Sequence, residues 1–481
     1  MVLSHLEPEK VLGFFEEICS VPHGSGNTAL ITEYCVNFAR ERGLEHYSDE
    51  LGNVIIIKPA TAGRENDSPV IIQGHIDMVC QKEASCEKDM TKEGLDLEVN
   101  GDFISARGTT LGGDDGIAVA MALAVLDSSD LSHPRVEAVF TVDEETGMYG
   151  AQGIDLSMLH GHTLLNIDSE EEGIFTVSCA GGSRANCIMP ISREKINLVP
   201  ITVSIGGLLG GHSGVEIDKG RANASILMGR LLAFIADAAK GRLVSLSGGS
   251  ADNAIPSACE AVVAVDAESV DLLIAACDKA ADIFRNEYFA SDKDVTVSAS
   301  IGDRSDLAAV TEADTQKIIT ALVTVPNGIQ EMSRSIEGLV ETSLNLGILK
   351  LEEDHLRASF SIRSSVSSRK AMLKARLERL FCLLGGSASF TGDYPAWEYR
   401  ADSPLRDMMV DIYTELFGTE PKVVAIHAGL ECGLLSEKIE NLDCVSFGPN
   451  LYDIHTPAER MSIASVQRSW KFLIEILKRI K

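Results

Sequence analysis

The sequence predicts an α/β domain that is interrupted by an inserted α+β domain. Short apolar runs alternate with amphipathic runs in residues 1–183, and the same alternation returns in residues 395–481. Acidic residues or histidines directly follow several of these runs, whereas residues 184–394 carry no such acid clusters. We therefore expect 1–183 and 395–481 to form one discontinuous domain, with 184–394 as an insertion of ordinary domain size.

The composition limits the classes of partner. The chain has 481 residues, of which 45% are hydrophobic, and its formal net charge is −29. Nucleic acids and anionic membranes are bound by basic surfaces, so the acidic balance argues against both. Most of this charge serves to keep a protein dispersed, and it is also compatible with binding metal cations.

Cysteine usage and the N-terminus predict a cytoplasmic protein. The eleven cysteines are an odd number, form no Cys-x-x-Cys pair, and several lie in apolar runs, as Cys19, Cys35, Cys277 and Cys382 do. This pattern is typical of reduced, buried thiols in a reducing compartment. The sequence shows neither a signal peptide nor an uninterrupted apolar window of 18 residues.

Periodicity and turn residues predict the elements of the first segment. The predicted helices are Leu6–Cys19, Thr28–Arg42, Ile117–Leu126 and a short one near Met148–Leu156; the predicted strands are Glu45–Ser48, Asn53–Lys58, Val70–Gln73, Val136–Val142 and Thr163–Ile167.

The same signals predict the remaining elements. The insertion should contain helices Ala222–Ala239, Val270–Phe289, Gln316–Val323 and Ser368–Leu384, strands Pro200–Ile205, Ala261–Asp266 and Val295–Ile301, and a hairpin of Leu344–Leu351 with Arg357–Arg363. The last segment should contain helices Pro404–Phe417 and Ile463–Lys478 and strands Lys422–Ile426 and Cys444–Phe447.

The first candidate site residues follow the strand Val70–Gln73. His75 and Asp77 are two residues apart and point the same way on an extended backbone. An imidazole there can bind a metal while the carboxylate orients its ring. A single His-x-Asp pair is as often an ordinary surface feature, so the pair needs support from other segments.

The pair Glu144-Glu145 follows the strand Val136–Val142. Neighbouring residues on a turning backbone point in different directions, so one carboxylate can bind a metal while the other stays free as a general base. Taken alone, the three acids from Asp143 to Glu145 are more often a solvated loop rim.

Three further residues complete a set of metal-binding types. Asp114 lies between glycines, Asp168 follows the strand Thr163–Ile167, and His455 lies in the last segment. Two histidines and several carboxylates exceed what one tetrahedral zinc needs. They suit two ions that share a bridging carboxylate.

The order of these residues resembles that of the di-zinc exopeptidase family of aminoacylases, carboxypeptidases and dipeptidases. Five stretches look more closely like the bacterial aminoacyl-histidine (Xaa-His, or β-alanyl-histidine) dipeptidases. They are Gln73–Val79, Gly108–Gly112, Asp168–Gly173, Gly210–Gly214 and Ile426–Gly433.

The resemblance implies a catalytic domain with a mixed sheet flanked by helices, and an inserted lid and dimerisation domain. It implies two zinc ions, for which cobalt or manganese can substitute. The implied roles are His75 and Asp168 on one ion, Glu145 and His455 on the other, Asp114 as the bridge, Asp77 orienting His75, and Glu144 as the base.

The resemblance also implies substrate-binding residues in the insertion. His212 would polarise the scissile carbonyl, from its own or a second subunit, and Arg363 is a candidate clamp for the substrate carboxylate. Asn223 and His427 are weaker candidates. The family often has Asp-Asn where this chain has Asp114-Asp115, which leaves the role of Asp115 and the metal preference open.

The implied function is metal-dependent hydrolysis of dipeptides, of the Xaa-His type or broader, by a zinc-activated water with a glutamate base. The implied protein is a cytoplasmic homodimer that binds small peptides and neither nucleic acid nor membrane; alternatively, the long insertion takes the place of a partner subunit within one chain. Two alternatives stay open: an N-acyl-amino-acid deacylase on the same scaffold, and a metal-binding protein without catalytic activity.

Overall fold

The computed structural model describes residues 2–481 and divides into two compact units. Unit 1 comprises residues 2–178, 399–425 and 430–481, and unit 2 comprises residues 179–398 and 426–429. The predicted insertion, 184–394, falls entirely within unit 2.

Unit 1 contains helices on a predominantly buried sheet. Its helices are α1 (Glu9–Cys19), α2 (Ala29–Glu41), α3 (Gly113–Asp127), α4 (Tyr149–Gly153), α9 (Pro404–Phe417), α10 (Glu431–Lys438) and α11 (Ile463–Arg479). Its strands are β1 (Glu45–Ser48), β2 (Val54–Lys58), β3 (Val70–His75), β4 (Leu97–Asn100), β5 (Phe103–Ala106), β6 (Val136–Thr141), β7 (Thr163–Asn166), β8 (Ile174–Cys179), β21 (Lys422–Ile426), β22 (Asp443–Ser446), β23 (Leu451–Tyr452) and β24 (Arg460–Ser462).

The eight-stranded sheet of this unit has the order β1-β2-β6-β3-β7-β22-β8-β21. Strand β3 runs parallel to both β6 and β7, so the carboxyl ends of these three strands lie at one edge. Every residue of β3 and β6 is buried, as expected for central parallel strands covered on both faces. Function in open α/β sheets gathers beyond such strand ends.

Helix α3 packs against α1 and β3 and is apolar on all sides. Each residue from Gly116 to Leu126 is buried, which is the pattern of a core helix rather than a surface helix. Its first turn is irregular, because Asp114 and Asp115 have non-helical backbone angles. The regular helix therefore starts after the two aspartates, in agreement with the predicted start at Ile117.

Unit 2 is built on a ten-stranded, antiparallel sheet. Its helices are α5 (Ala224–Ala238), α6 (Val270–Glu287), α7 (Glu312–Thr324) and α8 (Ser367–Leu383). Its strands are β9 (Gly181–Pro190), β10 (Arg193–Gly206), β11 (Gly211–His212), β12 (Arg242–Gly248), β13 (Ala254–Ile255), β14 (Cys259–Val265), β15 (Thr296–Ile301), β16 (Ser305–Val310), β17 (Gly328–Met332), β18 (Val340–Leu351), β19 (His355–Ser364) and β20 (Ser387–Tyr394).

The core of unit 2 lies between this sheet and its helices. Helix α5 packs on strands β10 and β14, and α8 packs on β9, β19 and β20. Strands β18 and β19 form the hairpin predicted from the sequence, with a register that pairs Ser343 with Arg363. This mixture of antiparallel sheet and helices is the predicted α+β class.

Several short strands were not predicted from the sequence, and the prediction that Cys382 is buried was wrong. Strands β4 and β5 form a hairpin in which Asn100 pairs with Phe103, so the two-residue loop is Gly101-Asp102, and this Gly-Asp dipeptide was an available turn signal. Cys382 is exposed, which corrects the prediction of a buried thiol. The buried face of α8 is formed by Leu373, Leu377 and Phe381, and Cys382 lies outside that face.

Among residues 2–481, no helix is both long enough and apolar enough to cross a membrane.

Candidate metal centre

The acid–histidine cluster, defined as His75, Asp114, Glu145, Asp168 and His455, forms at the sheet edge where β3, β6 and β7 end. His75 is the last residue of β3, and Asp168 follows the end of β7. Glu145 lies in the turn after β6, where Asp143 takes a positive φ of 54°. The local cause is the same in each case: a buried apolar strand stops, and the next polar residues emerge at one edge.

Asp114 lies between the two histidines. Its Oδ1 atom is 3.2 Å from Nε2 of His75, and its Oδ2 atom is 3.2 Å from Nε2 of His455. A carboxylate that presents one oxygen to each imidazole has the geometry of a bridging ligand. The structure therefore brings together the two histidines from opposite ends of the chain.

The remaining carboxylates flank this arrangement on both sides. Oε1 of Glu145 lies 2.8 Å from Nε2 of His455, and Oδ1 of Asp168 lies 4.0 Å from Nε2 of His75. Donor atoms of His75, Asp114 and Glu145 all lie within 4.8 Å of one another, as do those of His75, Asp115 and Asp168. Two overlapping groups of this kind form a candidate metal site.

Asp115 contributes to the second group but is also tied to the backbone. Its Oδ2 atom accepts a hydrogen bond from the backbone N–H of His75 at 3.2 Å. The contact joins the start of α3 to the end of β3, so Asp115 helps to set where His75 lies.

Asp77 binds three different parts of the site. Its Oδ1 lies 3.5 Å from Nδ1 of His75 and accepts from the backbone N–H of Glu144 at 3.1 Å. Its Oδ2 accepts from the hydroxyl of Ser25 at 2.7 Å. Nδ1 of His75 also lies 3.0 Å from the carbonyl oxygen of Asp77, so the Nε2 atom is the one that faces the cluster.

The loop around Ser25 supports the turn that carries the glutamates. Besides the Ser25 contact to Asp77, the backbone N–H of Gly26 donates to Oδ1 of Asp143 at 2.6 Å. The sequence gives no reason to assign this loop a role in the site. Its contacts are long-range, and no local pattern in the sequence signals them.

The charges of the cluster fit bound cations. Burial raises the pKa of Asp168 well above its usual range, and burial together with Asp168 does the same for Asp115. Hydrogen bonds to Asp114 and Glu145 raise the pKa of His455 to about 10. Burial lowers the pKa of His75, but the hydrogen bonds to Asp114 and Asp77 outweigh burial and leave it well above its usual value.

The raised pKa values of Asp168 and Asp115 describe buried carboxylates that lack enough positive charge. Imidazole and carboxylate donors are the types that zinc-like divalent ions take, and such ions would supply that charge. The residues present therefore fit a metal.

Glu144 is next to the cluster residue Glu145 in the chain, but it belongs to neither of the two groups of metal-binding donors. Its backbone carbonyl accepts from Gly147 and Met148, which closes the turn after β6. Burial, with Glu431 and Glu145 nearby, raises the pKa of the Glu144 carboxyl to about 8. A neighbouring cation would lower that value, toward the range that suits a general base at neutral pH.

A buried hydrogen-bond network lies next to the cluster, and the sequence did not predict it. Oε2 of Glu431 accepts from Nε2 of Gln73 and from the hydroxyl of Thr141, both at 2.6 Å. Oε1 of Gln73 in turn accepts from Nδ2 of Asn166 at 2.6 Å. The network joins β6, β3 and β7 near the strand ends that the cluster residues follow. Burial raises the pKa of Glu431 to about 7.

Three of the four predicted substrate-binding residues lie near one another in unit 2. Burial lowers the pKa of His212, with Arg363 as the next cause, and burial and Arg363 lower that of His427 to about 4. Nε2 of His427 lies 2.7 Å from the hydroxyl of Ser343, the strand partner of Arg363. Nδ1 of His212 accepts from the backbone N–H groups of residues 214 and 215.

Asn223 is occupied within unit 2. It is the N-cap of α5, where its Oδ1 accepts from the backbone N–H groups of Ser225 and Ile226. Its Nδ2 donates to Oδ1 of Asn345 and to the carbonyl of Leu346. These contacts give Asn223 a helix-capping role, and direct contact with a substrate stays a prediction.

The fold is that of a metallopeptidase, and the acid–histidine cluster carries the donor types that zinc-like ions take. The profile of Peptidase family M20/M25/M40 matches residues 71–479, and the chain belongs to this family. This confirms the fold class, the enzyme class and the family resemblance predicted from the sequence.

Individual relatives agree with this assignment. The chain is similar to the cytosol non-specific dipeptidase of Escherichia coli (strain K12), with 38% identity over 480 residues, which is 99% of each chain. It is similar in structure to aminoacylhistidine dipeptidase from Vibrio alginolyticus, with a TM-score of 0.95 and 39% identity over 100% of this chain and 98% of that chain. Aminopeptidase PepT from Bacillus cereus shares the fold, with a TM-score of 0.58 and 15% identity over 99% of each chain.

Proposed function

We propose that the chain is a metal-dependent dipeptidase with a pair of divalent ions in the acid–histidine cluster. The observation that carries the proposal is Asp114, whose two carboxylate oxygens each face a different histidine at 3.2 Å. A metal-storing protein would need the ligands but has no use for a separate acid such as Glu144. The reading as a non-catalytic protein is therefore the weaker one.

The cluster residues divide between the two ions. We assign His75 and Asp168 to one ion and Glu145 and His455 to the other, with Asp114 shared between them. Zinc is the proposed ion, and cobalt or manganese would take the same donors. Ions held there would polarise the scissile carbonyl and lower the pKa of the attacking water.

Glu144 is the proposed general base and proton carrier. Its carboxylate takes a proton from the water that attacks the carbonyl carbon. The C–N bond of the peptide then breaks, and Glu144 returns the proton to the leaving amine. Asp77 contacts the backbone of Glu144 and the ring of His75 at the same time, so it fixes the position of the proposed base relative to the proposed ligand His75.

We propose dipeptides as the substrate class, both of the Xaa-His type and of broader sequence. The names of the two relatives with close to 40% identity support this: one is a non-specific dipeptidase and the other an aminoacylhistidine dipeptidase. We also propose a cytoplasmic location, in keeping with the name of the first, and a homodimer formed through unit 2. Light scattering on the purified chain tests the last point.

The decisive experiment is a substrate panel on purified protein. The chain is stripped with a chelator, assayed, and assayed again after addition of zinc or manganese. The panel contains β-alanyl-histidine, other dipeptides, a tripeptide and an N-acetyl amino acid. We expect metal-dependent release of amino acids from the dipeptides. Hydrolysis of the N-acetyl amino acid alone would favour the deacylase, and metal binding without any hydrolysis would refute both.

A further inference from the structure

A buried glutamate holds the backbone at the start of α3. The side chain of Glu459, which is 2% exposed, accepts hydrogen bonds from four consecutive backbone N–H groups. The distances are 2.7 Å from Leu111, 3.1 Å from Gly112, 2.9 Å from Gly113 and 3.4 Å from Asp114. A carboxylate removed from water is stable only with such donors around it.

The local sequence leaves room for this carboxylate. A Cβ atom at Gly113 would lie 3.3 Å from Oε1 of Glu459 and 3.0 Å from the side chain of Leu451, both closer than ordinary contacts. The preceding Gly112 takes a positive φ of 67°, which turns its backbone toward the same carboxylate. The N-terminal end of a helix favours a negative charge, so α3 stabilises Glu459 there.

The same side chain reaches the turn that carries His455. Glu459 lies four residues after His455, and its backbone N–H donates to the carbonyl of Thr456 at 3.1 Å. The Glu459 side chain also accepts from the backbone N–H of Asp114, and Oδ2 of Asp114 faces His455. One carboxylate thus connects two cluster residues that are far apart in the chain.

We propose that Glu459 is a positioning residue for the metal centre, because it sets the distance between Asp114 and His455. The inference rests on the proposed function, since it concerns the ion assigned to Glu145 and His455. Substitution by glutamine would replace one accepting oxygen with an NH2 group. That group would face backbone N–H donors, and two donors cannot form a hydrogen bond with each other. Asp114 and the His455 turn would then separate.

A purely structural helix cap is the competing explanation, and unit 1 offers a matched control. Glu137 is also fully buried and accepts from the backbone N–H groups of His160 at 3.0 Å and Gly161 at 2.9 Å, and in addition from Nε of Arg135 at 2.7 Å. It lies near the start of β6, whereas the cluster lies beyond the strand ends. Glu137→Gln and Glu459→Gln should both destabilise the fold, but only Glu459→Gln should change metal binding.

The test is a titration of the metal-stripped, full-length protein with Co2+, followed by calorimetry and by visible absorption of the bound ion. We expect the unaltered chain and Glu137→Gln to bind Co2+ alike. We expect Glu459→Gln to lose about 10- to 100-fold in affinity for at least one ion.

Glu459→Asp keeps the charge but shortens the side chain, and a similar or smaller loss of affinity is expected. It carries the test if Glu459→Gln does not fold. Co2+ affinity and spectrum equal to those of the unaltered chain in a folded Glu459 variant would overturn the inference. An unaltered chain that binds no Co2+ would instead overturn the proposed function on which it rests.

Discussion

Oδ1 of Asp77 accepts a hydrogen bond from the backbone N–H of Glu144 at 3.1 Å. The residue that faces the ring of His75 therefore also fixes the backbone of the proposed base. His75 ends β3 and Glu144 lies in the turn after β6, and these two strands run parallel and end together. Asp77 thus contacts both the proposed base and a proposed metal ligand, and the two roles can be tested separately.

Glu144→Gln should abolish most of the activity without loss of metal. Removal of a general base costs about 10²- to 10⁴-fold in rate. We expect kcat for a dipeptide to fall in that range while the metal content per chain, measured by mass spectrometry, stays unchanged. Glu145→Gln is the matched comparison and should lose metal. A Glu144→Gln enzyme with an almost normal kcat would refute the base assignment.

Ser25→Ala should weaken the site through Asp77. The hydroxyl donates to Oδ2 of Asp77, and loss of an outer partner of this kind typically costs about 10- to 100-fold in metal affinity or activity. Ser20→Ala is the control in the same loop, because that hydroxyl donates to the carbonyl of Glu17 at a helix end. Equal kcat/KM for both variants would show that the Ser25 contact has no part in the site.

Glu431→Ala should destabilise unit 1 at the ends of the central strands. The substitution removes the acceptor for Gln73 and Thr141, and a buried donor left without a partner costs about 1–3 kcal/mol. Urea unfolding measures the loss. Glu437→Ala, at an exposed position of the same helix, should change stability by less than about 0.5 kcal/mol. Similar midpoints for the two variants would contradict the structural role of the network.

Removal of the metal should lower the melting temperature. Ions that bind only the folded chain stabilise it by RT ln(1 + [L]/Kd), which is about 4 kcal/mol at 1,000 times Kd. Burial raises the pKa values of Asp168 and Asp115, and bound cations would offset that cost, so the effect should be large. Calorimetric scans with a chelator and with added zinc test this, with Ca2+ as a control ion. A melting temperature indifferent to both treatments would argue against a metal centre.

Arg363→Lys should raise KM more than it lowers kcat. Lysine keeps the charge but loses the planar pair of donors that matches a carboxylate. A charge-assisted hydrogen bond contributes about 1.5–3 kcal/mol, so kcat/KM should fall about 10- to 100-fold. Arg357→Lys, at an exposed position of the same strand, is the control. A change confined to kcat would remove Arg363 from the list of carboxylate-binding candidates.

The sequence by itself determined seven of the eight strands of the unit 1 sheet, all except β8, and the residue types that follow them. Apolar runs and the polar residues behind them are local features, so His75, Glu145 and Asp168 could be placed at strand ends without coordinates. Four of the five cluster residues also belong to the first segment, which made their proximity a reasonable expectation from the parallel strand order.

Only the tertiary structure decided which atoms face one another. Asp114 meets His455 across 341 positions of sequence, and Glu459 reaches Leu111 across 348. Ser25 and Glu459 carry no local signal, because a lone serine or glutamate in a loop looks like any surface residue. Glu431 lies in the stretch Ile426–Gly433 that carries the resemblance, but its hydrogen-bond partners could not be predicted from that stretch. Their roles depend on long-range packing that places each side chain against backbone and side-chain groups distant in the chain.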